Sequence, residues 1–220
     1  MPIKLTTSED GSNSLYSEKY GEHYHSVHGA IAESQHIFIN KGLNTVKKDT
    51  ISILELGFGS GLNALLSLKF ALERPEITIH YTGIEKHPIS SEIVEQLNYP
   101  EQIKTDPALF RQLHDAPDTI QTKIATNFFI RRLQQDISNM QLTGQYDLIY
   151  FDAFSPEKQA DLWTSRIFSY IFQHCKPEAR LLTYSAKGTV KQALRKAGFT
   201  VKRLPGPQGK RHILLAIREL

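Results

Sequence analysis

The sequence predicts an α/β fold: a doubly wound, mostly parallel seven-stranded sheet, closed by a C-terminal antiparallel hairpin and preceded by a helical N-terminal extension. Three observations carry this. From Ile51 onward, short β-branched or aromatic runs alternate with stretches of helical apolar spacing, the pattern of parallel strands joined by right-handed crossovers. The first strand runs into a glycine turn and a helix start, ISILELGFGSGLN at 51–63. The last two strands are joined through PGPQG at 205–209, a connection too short for a parallel crossover and suited to a hairpin.

The elements follow in order. Residues 1–14 are polar, and the start of the chain is expected to be poorly ordered. Residues 15–43 mix aromatics, four histidines and a helix-like apolar spacing (Ala30, Ile31, Ala32, Phe38, Ile39). They predict a helical extension over 1–45 ahead of a domain over 46–220. Residues 51–56 form a mostly apolar run, as in a buried parallel strand, and 61–72 is its helix. ITIHYTGI at 77–84 is strand two, rich in β-branched and aromatic residues. Pro88 opens a helix over 89–97, and the polar stretch 100–120 holds one short helix within loops. Strands three, four and five fall at 126–133, 146–151 and 180–184, with a helix over 162–175 between the last two. A helix over 189–197 ends at Gly198, a usual terminator, and the closing strands cover 199–203 and 212–218.

Composition bounds the class. With 220 residues, 40% hydrophobic and 22% charged, the chain is an ordinary globular one that can bury a sizeable core. No run approaches the ~18 apolar residues of a transmembrane helix. The N-terminus lacks the apolar core of a signal peptide. Cys175 is the single cysteine, so no internal disulfide forms and a cytoplasmic location is expected. Net charge is +3 but uneven: residues 180–220 carry ten Lys/Arg against Glu219 alone, a local +9 that leaves −6 for the first 179 residues. The basic tail predicts a surface that faces a polyanion, with a merely solvated helix face as the plainer account. His23, His25, His28 and His36 lie close in sequence, and His25 and His28 have ligand-like i, i+3 spacing. No cysteine or acid framework accompanies them, so surface or substrate-facing histidines are expected rather than a metal site. Nothing demands a second subunit, and a monomer is expected.

In such a sheet the ligand lies across the carboxyl ends of the strands. After strand one come Glu55, Gly57, Phe58, Gly59, Gly61 and Asn63. Glycines at alternate positions let the backbone turn sharply and let a ligand approach the main chain, as in a nucleotide-type cofactor site. After strand two comes Glu85, 24 residues beyond Gly61, placed to accept from both ribose hydroxyls or to pair with Lys86 on the surface. After strand three comes Asp136, either an acceptor for an adenine amino group or a helix N-cap. After strand four comes Asp152, beside aromatic residues on a proline-stiffened turn, where it can act at a cofactor's reactive end or bind backbone amides. A mostly parallel sheet ending in a reversed strand is the Rossmann-like layout of S-adenosylmethionine (SAM) methyltransferases. Dinucleotide-binding dehydrogenases lack that ending, and no Lys-Ser/Thr follows Gly61 as in a P-loop.

With these residues in view, the chain resembles the methyltransferase domain of the MnmC family of bacterial tRNA-modification proteins, and its stand-alone MnmD-type relatives. ELGFGSGLNAL at 55–65 resembles the family's E-x-G-F-G-[ST]-G-L-N. DAFSPEKQADLW at 152–163 resembles D-[GA]-F-[AS]-P-x-K-N-P-x-x-W. Residues 183–188 with Ala197, Gly198 and Phe199 resemble T-Y-[ST]-A…A-G-F, and GPQGKRHIL at 206–214 resembles G-x-G-x-K-R-x-[MI]-L. Upstream, GAIAESQHIFIN at 29–40 resembles E-[ST]-x-x-V-F-[IL]. The likeness spans 24–217 and departs at Tyr24-His25-Ser26, Gln159-Ala160 and Thr189, which touches fine substrate contacts rather than the class.

The resemblance implies a SAM-dependent enzyme that methylates the 5-aminomethyl amine of (2-thio)uridine at the tRNA wobble position. It implies cofactor contacts from Glu55, Gly57, Phe58, Gly59, Gly61, Asn63, Glu85, Lys86, Asp136 and Asp152. Asp152 is the expected catalytic group, orienting the amine or also taking its proton. Phe154 and Tyr184 stack on the uracil ring or pack under the sheet edge, and Trp163 belongs to the helix–sheet core. Lys210 and Arg211, on the turn nearest the site, face the anticodon stem-loop together with the rest of the basic tail. No flavin oxidase domain is expected in 220 residues, so other enzymes supply the free amine. A methyltransferase of a small amine or protein side chain, an NAD-dependent oxidoreductase and a non-enzymatic RNA-binding scaffold remain the alternatives.

Overall fold

The computed structural model describes residues 3–220. Met1 and Pro2, at the polar start for which poor order is expected, lie outside the described residues. The chain begins with strands β1 (Ile3–Thr7), β2 (Asn13–Ser17) and β3 (Glu22–His23), then helix α1 (Ala30–Ser34), which continues as a π-helix over Gln35–Asn40. It proceeds through β4 (Thr50–Leu56), α2 (Leu62–Leu72), β5 (Thr78–Ile84), α3 (Ser91–Val94), α4 (Tyr99–Gln102) and α5 (Pro107–Asp115). Next come β6 (Thr122–Ala125), β7 (Phe128–Leu133), β8 (Tyr146–Phe151), α6 (Ser165–Gln173) and β9 (Cys175–Thr183). Helix α7 (Gly188–Lys196) and strands β10 (Thr200–Pro205) and β11 (His212–Ile217) end it.

The main sheet has the order β10-β11-β9-β8-β4-β5-β7-β6. Neighbours from β9 to β7 are parallel. Strand β11 runs antiparallel to both β9 and β10, so the closing hairpin inserts its second strand into the sheet as the reversed strand expected from the short connection. The sheet has eight strands rather than seven, because β6 adds an antiparallel edge to β7. Four residues with one buried apolar side chain, Ile124, are too few for the alternation of a strand to show in sequence. The polar stretch before it holds two short helices, α4 and α5, where one is expected.

The two faces of the sheet are covered differently. Ile51 and Ile53 of β4 point to the side packed by α2, while Leu54 and Leu56 point to the side packed by α6 and α7. Helix α2 is buried on nearly every side, from Leu62 through Phe70 and Ala71. A helix apolar all round needs a cover on its outer side. The N-terminal segment supplies it: Leu15, Ile37, Phe38 and Leu43 join the same core, and α1 with the π-helix contacts α2.

That segment corrects an expectation. Its helical part covers residues 30–40 and a short 3-10 turn at Leu43–Thr45; before it stands a three-stranded antiparallel sheet, β1-β2-β3. The turn between β1 and β2 is built on Asp10-Gly11, with Gly11 at φ +81° and Asp10 accepting from the Ser8 and Ser12 hydroxyls. Asp-Gly between two extended runs is a hairpin signal, and here it outweighs the polar composition. Leu15→Ala should therefore cost about 2–5 kcal/mol, as for a core leucine, in urea unfolding. A loss below about 0.5 kcal/mol, as at an unremarkable surface site, would show the strands to be detachable from the core.

Candidate active site

The chain leaves β4 towards β5 and β7 on one side, and returns as β8 on the other side of β4. The carboxyl ends of β4 and β8 are thus the topological switch point, where open α/β sheets bind ligands. The two strand ends are in close backbone contact there. The Asp152 N–H donates to the Leu56 carbonyl at 2.9 Å, and the Gly57 and Phe58 N–H groups both reach the Ile84 carbonyl at 3.0 Å. Gly57 sits at φ +92°, and a Cβ on it would lie 2.5 Å from the Asp152 carbonyl oxygen, so only glycine fits. A cavity of about 470 Å³ opens over this turn.

Most residues expected at the site line it: Gly57, Phe58, Gly59, Asn63, Glu85, Lys86, Asp136, Asp152, Phe154, Tyr184 and Lys210. Glu55, Gly61 and Arg211 do not. Glu55 lies beneath the floor with no exposed surface. It accepts from Asn63 Nδ2 and from the Tyr81 hydroxyl, each at 2.8 Å, and burial pushes its carboxyl well above the usual range. Its place is therefore to support Asn63 rather than to touch a ligand. Gly61 is the left-handed residue that starts α2, and Arg211 lines an adjoining groove with Lys187 and His212.

Asn63 is 2% exposed. Its Nδ2 gives one proton to Glu55 and the other to Asp152 Oδ2, again at 2.8 Å, and its Oδ1 has no partner. Asp152 keeps part of its surface open to the cavity and is enclosed by protein elsewhere. That enclosure pushes its carboxyl up to about 7, against the opposing effect of the Asn63 hydrogen bond. Its partner is thus a side chain on the wall, not the turn's backbone amides.

The other two acids have different partners. Glu85 is not paired with Lys86: its Oε2 accepts from the Gly59 N–H at 3.0 Å and its Oε1 from the His87 N–H at 2.8 Å. Lys86 instead pairs with Asp136 at 2.6 Å and holds that carboxyl down to about 2. Asp136 also caps the short turn Ile137–Asn139, accepting from the Ser138 N–H at 2.9 Å, so the N-cap role and a place on the wall coexist. Trp163 is 5% exposed in the core, as expected, and its Nε1–H donates to the Phe154 carbonyl at 2.8 Å.

The wall also contains residues not expected to bind the cofactor or the substrate, Tyr20, Glu22, Tyr24, Glu33 and Gln159, and with them His25, one of the histidines expected to be surface or substrate-facing. Five of them come from the N-terminal segment, which folds over the cavity. Tyr20 and Tyr24 pack on Phe154, with ring centroids 4.5 and 5.1 Å away, and Glu22 accepts from the Ser155 N–H at 2.9 Å. The crowding of aromatics and histidines at residues 20–28 was the available signal. The four histidines do not converge. His25 bonds Ser60 Oγ at 2.8 Å, His36 the Pro205 carbonyl, His28 Glu9, and His23 Thr6. Burial pushes the His25 imidazole down to about 4. Among the described residues no three metal-ligating side chains come together.

A mixed sheet with a reversed strand, and a cavity at the switch point floored by a glycine turn and acids, define the class of Rossmann-like SAM-dependent methyltransferases. The chain belongs to the S-adenosyl-L-methionine-dependent methyltransferase family whose model matches residues 98–219. It is 32% identical over 236 residues to the tRNA 5-methylaminomethyl-2-thiouridine biosynthesis bifunctional protein MnmC of Burkholderia multivorans, covering 98% of this chain and 35% of that protein. The protein of the same description from Azoarcus sp. is 31% identical over 227 residues, with 97% and 35% covered. The chain thus spans about a third of the length of the curated relatives it matches. Among solved structures, MNMC2 from Aquifex aeolicus superposes with a TM-score of 0.78 at 28% identity, covering 98% of this chain and 70% of that one.

Burial of Asp152 has a consequence for stability. Its carboxyl releases its proton near 3.8, the ordinary aspartate value, when unfolded and near 7 when folded. The folded state binds the extra proton, so stability falls as pH rises through that window. Asp152→Asn removes the effect, and its gain in melting temperature over the parent should be larger at pH 8 than at about pH 4.5. Equal gains at both would rule out burial as the cause of the shift.

Proposed function

We propose that this methyltransferase acts on the 5-aminomethyl amine of (2-thio)uridine at the tRNA wobble position, giving 5-methylaminomethyl(-2-thio)uridine. The observation that carries it is Asp152, a half-buried carboxylate held by Asn63 and open to a cavity walled by Phe154 and Tyr184. The MnmC relatives from Burkholderia multivorans and Azoarcus sp. are named for 5-methylaminomethyl-2-thiouridine biosynthesis on tRNA.

The acceptors on the wall fit SAM. Its donors are an α-ammonium, a ribose diol and an adenine amino group. The unpartnered Asn63 Oδ1 suits the ammonium, Glu85 the diol, and Asp136 the amino group. Gly57 and Gly59 leave room for the main chain to approach the methionine part. SAM supplies an electrophilic methyl group on a sulfonium. The protein's task is then mainly to position a neutral amine in line with it.

An alkylamine is mostly protonated near neutral pH. Asp152 hydrogen-bonds the amine, directs its lone pair into the cavity and takes its proton on the carboxylate oxygen that Asn63 leaves free. A carboxyl with a value of about 7 is a far better acceptor than an ordinary aspartate. Phe154 offers ring surface for the uracil. The basic tail binds the anticodon stem-loop. Among the described residues no acid pairs with Lys191, Arg195, Lys202, Arg203 or Arg211, whereas Lys187 pairs with Glu157 and Lys210 with Glu33. Arg195 and Arg203 lie near enough to Lys191 to lower its hold on a proton, a like-charge cluster with no internal purpose. The enzyme acts as a monomer in the cytoplasm, and no step of the transfer calls on a metal. No helix among the described residues is long and apolar enough to cross a membrane.

The deciding experiment is mass spectrometry of wobble nucleosides after incubation with SAM and tRNA carrying the free 5-aminomethyl group. A gain of one methyl on that nucleoside is expected. Transfer to small amines but not to tRNA would favour the alternative substrate class. Asp152→Ala should lower transfer by about 10²-fold or more while SAM still binds by calorimetry, and normal turnover in that variant would remove Asp152 from the mechanism. Affinity for tRNA should drop at least about tenfold between ~50 and ~200 mM salt. A salt-insensitive affinity would exclude the basic tail as the binding face.

A further inference from the structure

One cation already stands inside the cavity. Lys210, from the turn between β10 and β11, is partly buried and pairs with the carboxylate of Glu33 on α1. Its ammonium also lies 4.3 Å from the centroid of the Tyr184 ring. A carboxylate on one side and an aromatic face on the other are the two partners a primary ammonium seeks.

Both hosts are held in place by the fold. Glu33 is only 8% exposed, and its second oxygen accepts from the Ser26 N–H at 2.9 Å. The Tyr184 hydroxyl donates to the Ala153 carbonyl at 2.9 Å, and its ring meets the Trp163 edge at 5.9 Å. Asp152 stands close enough for the charges of Glu33 and Lys210 to act on it. The guest is held differently. Lys210 reaches in on a four-carbon stem from a turn in which Gln208, Gly209 and Arg211 are exposed. A buried carboxylate needs a cation, but nothing requires that cation to be a lysine of the same chain.

We propose that Glu33 and Tyr184 form the subsite for the protonated primary amine of the substrate, and that Lys210 is its internal surrogate, occupying the subsite until the substrate's ammonium replaces it. This rests on the amine-methyltransferase reading above. Glu33 Oε2 already accepts from the Ser26 N–H, so a substrate ammonium takes the Oε1 position that Lys210 holds and expels it. Turned outward, Lys210 joins Arg211, Lys187 and His212 along the adjoining groove, whose wall it already shares. An RNA substrate brings phosphates that stabilise the outward position; a free nucleoside brings none. Lys210 therefore favours amines carried on a polyanion and disfavours small amines that could otherwise enter.

The test compares two methyl acceptors, the nucleoside 5-aminomethyluridine and tRNA carrying the same group, in the full chain. Lys210→Met should lower KM for the nucleoside by about tenfold and raise KM for tRNA, an opposed pair of shifts that loss of packing cannot produce. Glu33→Gln should raise KM for both acceptors by about tenfold or more, with kcat changed far less. SAM affinity by calorimetry serves as the folding control for each variant. Should Glu33→Gln fail to fold, the opposed shifts of Lys210→Met carry the test alone. A nucleoside KM that rises or stays level in Lys210→Met overturns the subsite, as does an unchanged KM in a folded Glu33→Gln. If the parent methylates neither acceptor, the substrate reading falls and the subsite with it.

Discussion

The side-chain amide of Asn63 has two protons, and both are committed to carboxylates, Glu55 below and Asp152 above. A flipped amide would set its oxygen against two carboxylate oxygens, so the orientation is dictated by repulsion as much as by bonding. The consequence is that Oδ1 is left as a buried acceptor with no partner. An orphaned acceptor at a cavity wall is costly unless something donates to it. Glu55 lies on β4, Asn63 in the first turn of α2 and Asp152 just past β8, so one amide joins the three elements that meet at the switch point. The glycine turn lets the chain fold back so that Asn63 stands over Glu55, eight residues earlier. The Asp152 carboxylate is held by that fold-back rather than by its own loop.

The same economy explains why the N-terminal segment matters to the site. Helix α2 carries Asn63 but is apolar on most of its surface, so it needs a cover from water. The layer that covers it, from Leu15 to Leu43, continues over the cavity through Tyr20, Tyr24 and His25. Covering the helix and enclosing the acids are therefore one structural act. Enclosure in turn raises the proton affinity of Asp152 and keeps His25 neutral, both by loss of solvent.

The parallel sheet was legible because its strands are buried on both faces and read as apolar runs, with 146–151 matching to the residue. The reversed strand was legible from connection length alone. What escaped was short or polar. Strand β6 has four residues, and the hairpin β1–β2 alternates weakly around its Asp10-Gly11 turn. Site residues showed a similar division. Glu85, Asp136 and Asp152 follow strand ends, so position in the pattern located them. Glu55 sits at a strand end too, but its side chain points down into the layer beneath, and spacing along one strand does not tell floor from foundation. Glu33 and Tyr20 reach the cavity through tertiary packing of a segment far from the sheet in sequence, for which no local pattern exists.

The distribution of charge ties these parts together. The cavity holds Asp152, Glu33 and Glu85, while the unpaired cations of the tail lie on the surface around α7 and β10. A substrate matching both regions must be cationic where it enters and polyanionic where it rests. Such a molecule poses a conflict, since a site acidic enough to draw an ammonium repels phosphate, and a surface basic enough to bind phosphate repels the ammonium. Separation by distance resolves part of it, and screening by salt resolves more at the surface than inside. At the boundary the two fields meet, and there stands Lys210, paired inward with Glu33 and adjoining Arg211. A lysine at that boundary neutralises the inner acid in the free protein. It also has an outer position stabilised only by added negative charge. The device needs a long, flexible stem and a point charge, which an arginine bound in a fixed fork would serve less well.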